Sequence, residues 1–219
     1  MKALLIGATG ATGKDLLELL VNDDKISLIE VFARREPGIK HSKINLHIID
    51  FDQPLTWKHL VKGDVLFSCL GTTLKTAGSK AQQKRVDYEY QYQFAKAAKE
   101  NNVESCVLVS ADHASAKSPF FYSKIKGELE EDVKKLDFKK LIIFNPPILI
   151  RKNSDRKAEV ISVSVIKILN SVGILKSFSP LPTEVLAKAL LNASMTIGSG
   201  QRSIKGDEIL HFANKVINE

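Results

Sequence analysis

Cysteine is scarce in this chain: 219 residues contain only Cys69 and Cys106. The two lie far apart inside apolar runs. That excludes a disulfide framework and any cysteine spacing for a metal. Both read as reduced core residues, which points to a cytoplasmic protein. The five histidines, at 41, 47, 59, 113 and 211, form no ligand motif, so no metal is expected. No apolar run approaches a membrane span. No signal-peptide pattern precedes the first strand-like segment, so neither a membrane nor a targeting route is expected. No internal repeat and no low-complexity tract is present, which excludes a repeat array. Charge of one sign is not segregated either. The net charge is +7, yet the lysines interleave with acids, as in Lys126-Gly-Glu-Leu-Glu-Glu-Asp-Val-Lys-Lys135. That is the pattern of a solvated helix face, so no nucleic-acid partner is expected.

What is present begins at once. Lys2 to Ile6 reads as a buried strand. Gly7-Ala-Thr-Gly-Ala-Thr-Gly13 follows, and then Leu16, Leu17, Leu20 and Val21 repeat with helical period. A strand, a glycine turn and a helix in that order form the first half of a dinucleotide-binding unit. Gly7 lets the chain turn sharply out of the strand. Gly10 lets backbone approach a pyrophosphate, and Gly13 lets helix pack close to strand. The helix start at Ala11 and Thr12 then presents free N–H groups and a positive dipole end to the phosphates. Thr9 and Thr12 add hydroxyl donors.

Strand-like and helix-like segments alternate along the rest. Strands are expected at about 2–6, 27–33, 45–49, 64–69, 104–110 and 139–145. Helices are expected at about 12–22, 55–61, 80–101, 119–136, 158–170, 183–194 and 206–217. Alternation with buried, β-branched strands implies a doubly wound parallel sheet covered on both faces, a three-layer αβα arrangement. Six strands suit the order 3-2-1-4-5-6. The length suits a single domain over residues 1–219, with substrate-side elements from about 146 onward. Ile161, Val163, Val165, Ile166, Ile168 and Leu169 make one helix apolar nearly all round. It is suited to core packing, to roofing a pocket or to a homodimer contact.

The second strand ends Val31-Phe-Ala-Arg34-Arg35. In such sheets an acid at this point selects NAD through the ribose 2′-hydroxyl. Two guanidiniums instead offer bidentate donors to a 2′-phosphate, so NADP (NADPH) is the expected cofactor. Asp50 and Phe51, after the third strand, are expected to flank the adenine. Leu70, Gly71 and Thr72, after the fourth, are expected to run along the pyrophosphate and nicotinamide ribose.

A second constellation follows. Ser110 ends the fifth strand, and Tyr122 and Lys126 share a face of the next helix at i and i+4. A free tyrosine holds its proton too tightly for exchange at neutral pH, and a nearby ammonium lowers that affinity. Tyr122 is therefore expected to pass a proton while a nicotinamide passes hydride, with Lys126 tuning it and Ser110 holding the substrate oxygen.

These motifs together resemble the short-chain dehydrogenase/reductase superfamily, and in particular its atypical Tat-interacting oxidoreductase-like branch. The resemblance rests on Gly7 to Gly13, Ala33-Arg-Arg35, Cys69-Leu-Gly-Thr-Thr73, Val86-Asp87, Val109-Ser110 and Tyr122-Ser-Lys-Ile-Lys-Gly-Glu128. It implies a Rossmann fold, NADP(H) binding and an active site of Ser110, Tyr122 and Lys126. Two stretches depart from that pattern. His113 stands where relatives carry glycine, and Asn145-Pro146-Pro147 replaces an Arg-Pro-Gly run. Two functions are compatible with the motifs: an NADP(H)-dependent oxidoreductase for a small carbonyl or alcohol, and an NADP(H)-binding regulator with little or no catalysis.

Overall fold

The computed structural model of the protein describes residues 1–150 and 180–215. Its order is β1 (Lys2–Ile6), α1 (Ala11–Asn22), β2 (Leu28–Ala33), β3 (Ile44–Ile48), α2 (Pro54–Trp57) and β4 (Val65–Ser68). Then come α3 (Leu74–Ala77), α4 (Lys80–Lys84), α5 (Tyr90–Glu100), β5 (Ser105–Val109), α6 (Phe121–Lys135) and β6 (Lys140–Asn145). The described chain closes with β7 (Leu149–Ile150), β8 (Leu181–Pro182), α7 (Thr183–Thr196), β9 (Gly200–Lys205) and α8 (Asp207–Ala213).

Seven strands pair in parallel in the order β3-β2-β1-β4-β5-β6-β9. The chain reverses its direction of travel across the sheet between β1 and β4, so loops from both halves meet there. One face is covered by α1, α7 and α8, through Leu16, Leu17 and Leu20 against Leu186 and Leu190. The other is covered by α5 and α6, through Phe94, Leu129 and Val133. Each such leucine, fully buried, contributes about 1.5–3 kcal/mol against exposure, which is why these strands read as unbroken apolar runs. This is the expected doubly wound, three-layer αβα fold.

The helix α3 and the separate β7–β8 pair add to the expected elements, and three further differences bear on the sheet and its helices. A seventh strand, β9, extends the sheet beyond the six expected. Its sequence, Gly-Gln-Arg-Ser-Ile-Lys, buries only Ile204 because it lies on an edge. The long helix expected over 80–101 is interrupted by a π-helical turn at Arg85–Glu89. The helix expected over 55–61 is α2 followed by a 3₁₀ turn at Lys58–Leu60. The apolar helix expected at 158–170 lies outside the described residues.

Candidate functional site

The glycine turn joins three strand and helix ends by backbone contact. Gly7 has φ +88°, a left-handed conformation, and a Cβ there would lie 2.4 Å from the Cys69 carbonyl. A Cβ on Gly13 would lie 2.1 Å from the Gly7 oxygen. The two glycines therefore weld the end of β1 to the first turn of α1 and to the end of β4. Gly10 differs: its Cβ would meet only the Gly7 oxygen, at 3.2 Å. Gly10 caps α1 without a side-chain hydrogen bond, and with Thr9 it faces solvent. The first N–H groups of α1 thus open onto a cleft of about 300 Å³, lined by Gly10, Ala11, Thr12, Leu70, Gly71 and Thr72. Val109, Ser110, Tyr122 and Lys126 complete its far wall. The turn is a cradle that a Cβ would fill, and it fits a dinucleotide pyrophosphate.

Arg34 and Arg35 stand exposed at the end of β2 and form no ion pair with any described residue. Asp50 and Phe51 do not stand where the sequence suggests. Phe51 is 2% exposed, with its ring stacked on Tyr90 at 5.2 Å, so it is core and presents no face to an adenine. The Asp50 carboxylate accepts from the Asp52 N–H at 2.9 Å and from Gln53 Nε2 at 3.2 Å, which locks its own turn.

The cleft opens beside a larger cavity of about 570 Å³. Tyr122, Ser110, Thr72 and Leu149 line both, while Leu74, Pro146 and Ile148 belong to the cavity. Tyr122 and Ser110 therefore stand in the shared wall. The loop after β5 is held there by α6. A Cβ on Gly127 would lie 2.2 Å from the Ala116 nitrogen, and the Ser115 N–H donates to the Ser123 carbonyl at 2.9 Å. His113 takes φ +56° in that loop, a left-handed conformation that favours glycine.

The charges around the triad differ from expectation in two ways. Lys126 is 1% exposed, and its Nζ donates to the Val109 carbonyl at 3.1 Å. Burial lowers its pKa, opposed by the carboxylates of Asp87 and Glu130. Tyr122 is not tuned downward by Lys126. Packing around its hydroxyl, and after that the Asp87 carboxylate, raises its pKa above the usual value, although the residue is 40% exposed along the cavity. The ammonium is drawn instead to the β5 carbonyl and the two acids. Ser110, too, is committed. Its hydroxyl donates to Glu130 Oε1 at 2.5 Å, so its one proton does not point at a substrate.

Asp87 and Glu130 escaped the sequence reading as site residues. Asp87 lies in the π-helical turn and is fully buried; one of its oxygens accepts from the Thr72 N–H at 3.2 Å. Its other oxygen has no partner among the described residues. Burial pushes its pKa up to about 6, against the pull of Lys126 and the Thr72 bond. A π turn at an active-site wall is a recurring signal, but it is not readable from residue types. Glu130 had a legible signal: it follows Tyr122 and Lys126 at the next four-residue step of the same helix face. Cys106 is core, as expected, whereas Cys69 is only partly buried and lines the cleft. Burial pushes both thiols up to about 12. Neither is expected to react with iodoacetamide in the native protein at pH 8, and both should react after denaturation; mass spectrometry counts the adducts.

The profile of an NAD(P)H-binding family matches residues 7–141. The chain belongs to this NAD(P)H-binding family. The matched span runs from the glycine turn to β6 and contains every residue of the shared wall named above except Leu149. Full-length similarity extends to the mitochondrial protein FMP52 of Candida albicans, 31% identical over 99% of this chain and all of that one. The mitochondrial FMP52 of Saccharomyces cerevisiae is 35% identical over 72% of this chain and 69% of its own length. Among solved structures, the NAD⁺ complex of the Bordetella bronchiseptica enzyme WbmH superposes with a TM-score of 0.69 at 15% identity, covering 94% of this chain and 74% of that one. The Lactococcus lactis oxidoreductase ylbE gives a TM-score of 0.59 at 20% identity, over 83% of this chain and 89% of that one. These likenesses show the fold. With the family profile, they bear out the resemblance to atypical short-chain dehydrogenase/reductases, and this NAD(P)H-binding protein has an oxidoreductase-like fold. They correct the cytoplasmic expectation, because the FMP52 relatives are mitochondrial. Two free thiols are compatible with any reducing compartment, so they carried no information about which one.

Proposed function

We propose that the protein is an NADP(H)-dependent oxidoreductase that reduces a small carbonyl compound to its alcohol. The observation carrying this reading is the position of Tyr122 in the wall shared by cleft and cavity. The pyridine nucleotide, when bound, supplies the hydride. Gly10, Ala11 and Thr12 would hold its pyrophosphate, and Lys126 its ribose. Tyr122 would give the proton that the substrate oxygen needs as the carbonyl becomes an alcohol. Its raised pKa keeps the phenol protonated at neutral pH, the form a proton donor requires. A panel of aldehydes and ketones, followed by NADPH absorbance, tests the reading. A protein that binds NADPH but turns over no member of the panel is the regulator instead. One observation favours that second reading: Ser110 and Lys126 both spend donors on internal partners.

The NADP preference rests on Arg34 and Arg35. Arg34→Ala is expected to weaken NADPH binding by about 10- to 100-fold, the worth of a charge-assisted bond, and NADH binding by less than about twofold. Fluorescence titration with both nucleotides reads this directly. An equal loss for the two, or no loss, would remove the preference. The mitochondrial names of the relatives also suggest a mitochondrial setting for this chain, which imaging of a tagged full-length protein would test.

A further inference from the structure

We propose that Glu130 is a positioning residue for Ser110, with Asn145 as its second clamp. The proposal rests on the oxidoreductase reading only for its kinetic arm. Ser110 is 4% exposed and Glu130 is 8% exposed, so water does not compete for their hydrogen bond. Glu130 Oε1 receives the Ser110 hydroxyl at 2.5 Å and Asn145 Nδ2 at 2.7 Å. The same Asn145 nitrogen also donates to the Ala111 carbonyl at 3.1 Å. One carboxylate oxygen therefore ties the ends of β5 and β6 to the third turn of α6.

The backbone of Ser110 is already fixed, because its N–H donates to the Phe144 carbonyl at 2.8 Å. Only rotation about χ1 remains free, and Glu130 selects the rotamer. The bond also decides which part of the hydroxyl faces the cavity. With its O–H directed at the carboxylate, Ser110 Oγ offers lone pairs outward. The group that fits them is an O–H: that of Tyr122 or of an alcohol. The site is thus arranged so that Tyr122 supplies the proton to the substrate oxygen, while Ser110 acts only as a hydrogen-bond acceptor. Asn145 thus spends its amide donors on the clamp, on Glu130 and on the Ala111 carbonyl, while Lys134 Nζ lies 3.8 Å from the other Glu130 oxygen.

The test uses Glu130→Ala, Glu130→Gln, Ser110→Ala and the Glu130→Ala/Ser110→Ala double variant of the full chain. In a crystal structure of Glu130→Ala, the Ser110 hydroxyl is expected to swing by about 120°, to another staggered well. NADPH affinity should stay within about twofold, while kcat on a carbonyl that the wild type reduces falls by about 10- to 100-fold, the cost of a misplaced group. The double variant should fall no further than Ser110→Ala, because the two residues act as a unit. Glu130→Gln, which keeps the accepting oxygen, should restore the rotamer and most of the rate. An unmoved Ser110 in Glu130→Ala, or multiplicative losses in the double variant, would overturn the proposal. If Glu130→Ala does not fold, Asn145→Ala takes its place, with a loosened Ser110 rotamer expected and an unmoved one counting against. If the wild type reduces no carbonyl, the oxidoreductase reading fails and the rotamer still decides the role of Glu130.

Discussion

Tyr122→Phe is expected to keep NADPH binding within about twofold and to lower carbonyl turnover by about 100- to 10,000-fold, the usual range for losing a general acid. The phenylalanine ring fills the same volume, so the shared wall keeps its shape. Only the O–H disappears. Ser110 and Lys126 are not free to replace it: the Ser110 hydroxyl donates to Glu130, and the Lys126 ammonium donates to the Val109 carbonyl. Loss in kcat with little change in nucleotide affinity separates a proton donor from a packing residue. Retention of more than about a tenth of the rate would remove Tyr122 from the chemistry. The pH dependence carries a sign as well. The pKa of Tyr122 is raised, so the phenol keeps its proton throughout the neutral and mildly alkaline range. Reduction should therefore show no alkaline decline from this group between about pH 7 and 9. A fall in that range that vanishes in Tyr122→Phe would instead mean that the lysine tunes it downward in the working complex.

Gly13→Ala is expected to be among the most damaging single methyl additions at the described glycines. Its Cβ would lie 2.1 Å from the Gly7 oxygen and 2.6 Å from the Gly7 carbonyl carbon. Both partners are backbone and cannot rotate away. Gly7 in turn abuts the Cys69 carbonyl, so relief must push α1 off the sheet or β1 against β4. Overpacking of this kind costs about 3 kcal/mol or more. For a chain of this length that is a fall of about 6–12 °C in melting temperature. Nucleotide binding should go with it, because the N-terminus of α1 moves. Gly10→Ala is the control. Its Cβ points to open space except for one 3.2 Å contact, so the fold should survive while the cleft narrows where a pyrophosphate would lie. Thermal unfolding and NADPH titration of the pair distinguish welding from cradling. Equal stability losses for both variants would contradict the division of labour among the glycines.

Much of this was legible in the residues because parallel strands are buried on both faces. β1, β2, β4, β5 and β6 read as apolar runs, and α1 and α6 carry helical stripes of leucine, isoleucine and valine. β9 was not legible. An edge strand buries one side chain in six, which leaves no pattern to read. Phe51 was misjudged for a related reason. Its place after β3 is visible in the chain, but the face it turns to is set by Tyr90, 39 positions later, in a helix that packs over it.

By itself, the sequence determined the parallel sheet, the glycine cradle and the shared helix face of Tyr122 and Lys126. Each depends on spacing within one strand or one helix turn, and backbone geometry converts such spacing directly into position. Only the tertiary structure decided where the protons and charges rest. The Ser110 hydroxyl meets Glu130 across 20 positions, and Lys126 meets Asp87 across the interface of two helices. Hydrogen bonds and buried charges act over a few ångströms in space, so contacts between distant segments set the polarity of the site without leaving a periodic trace in the chain.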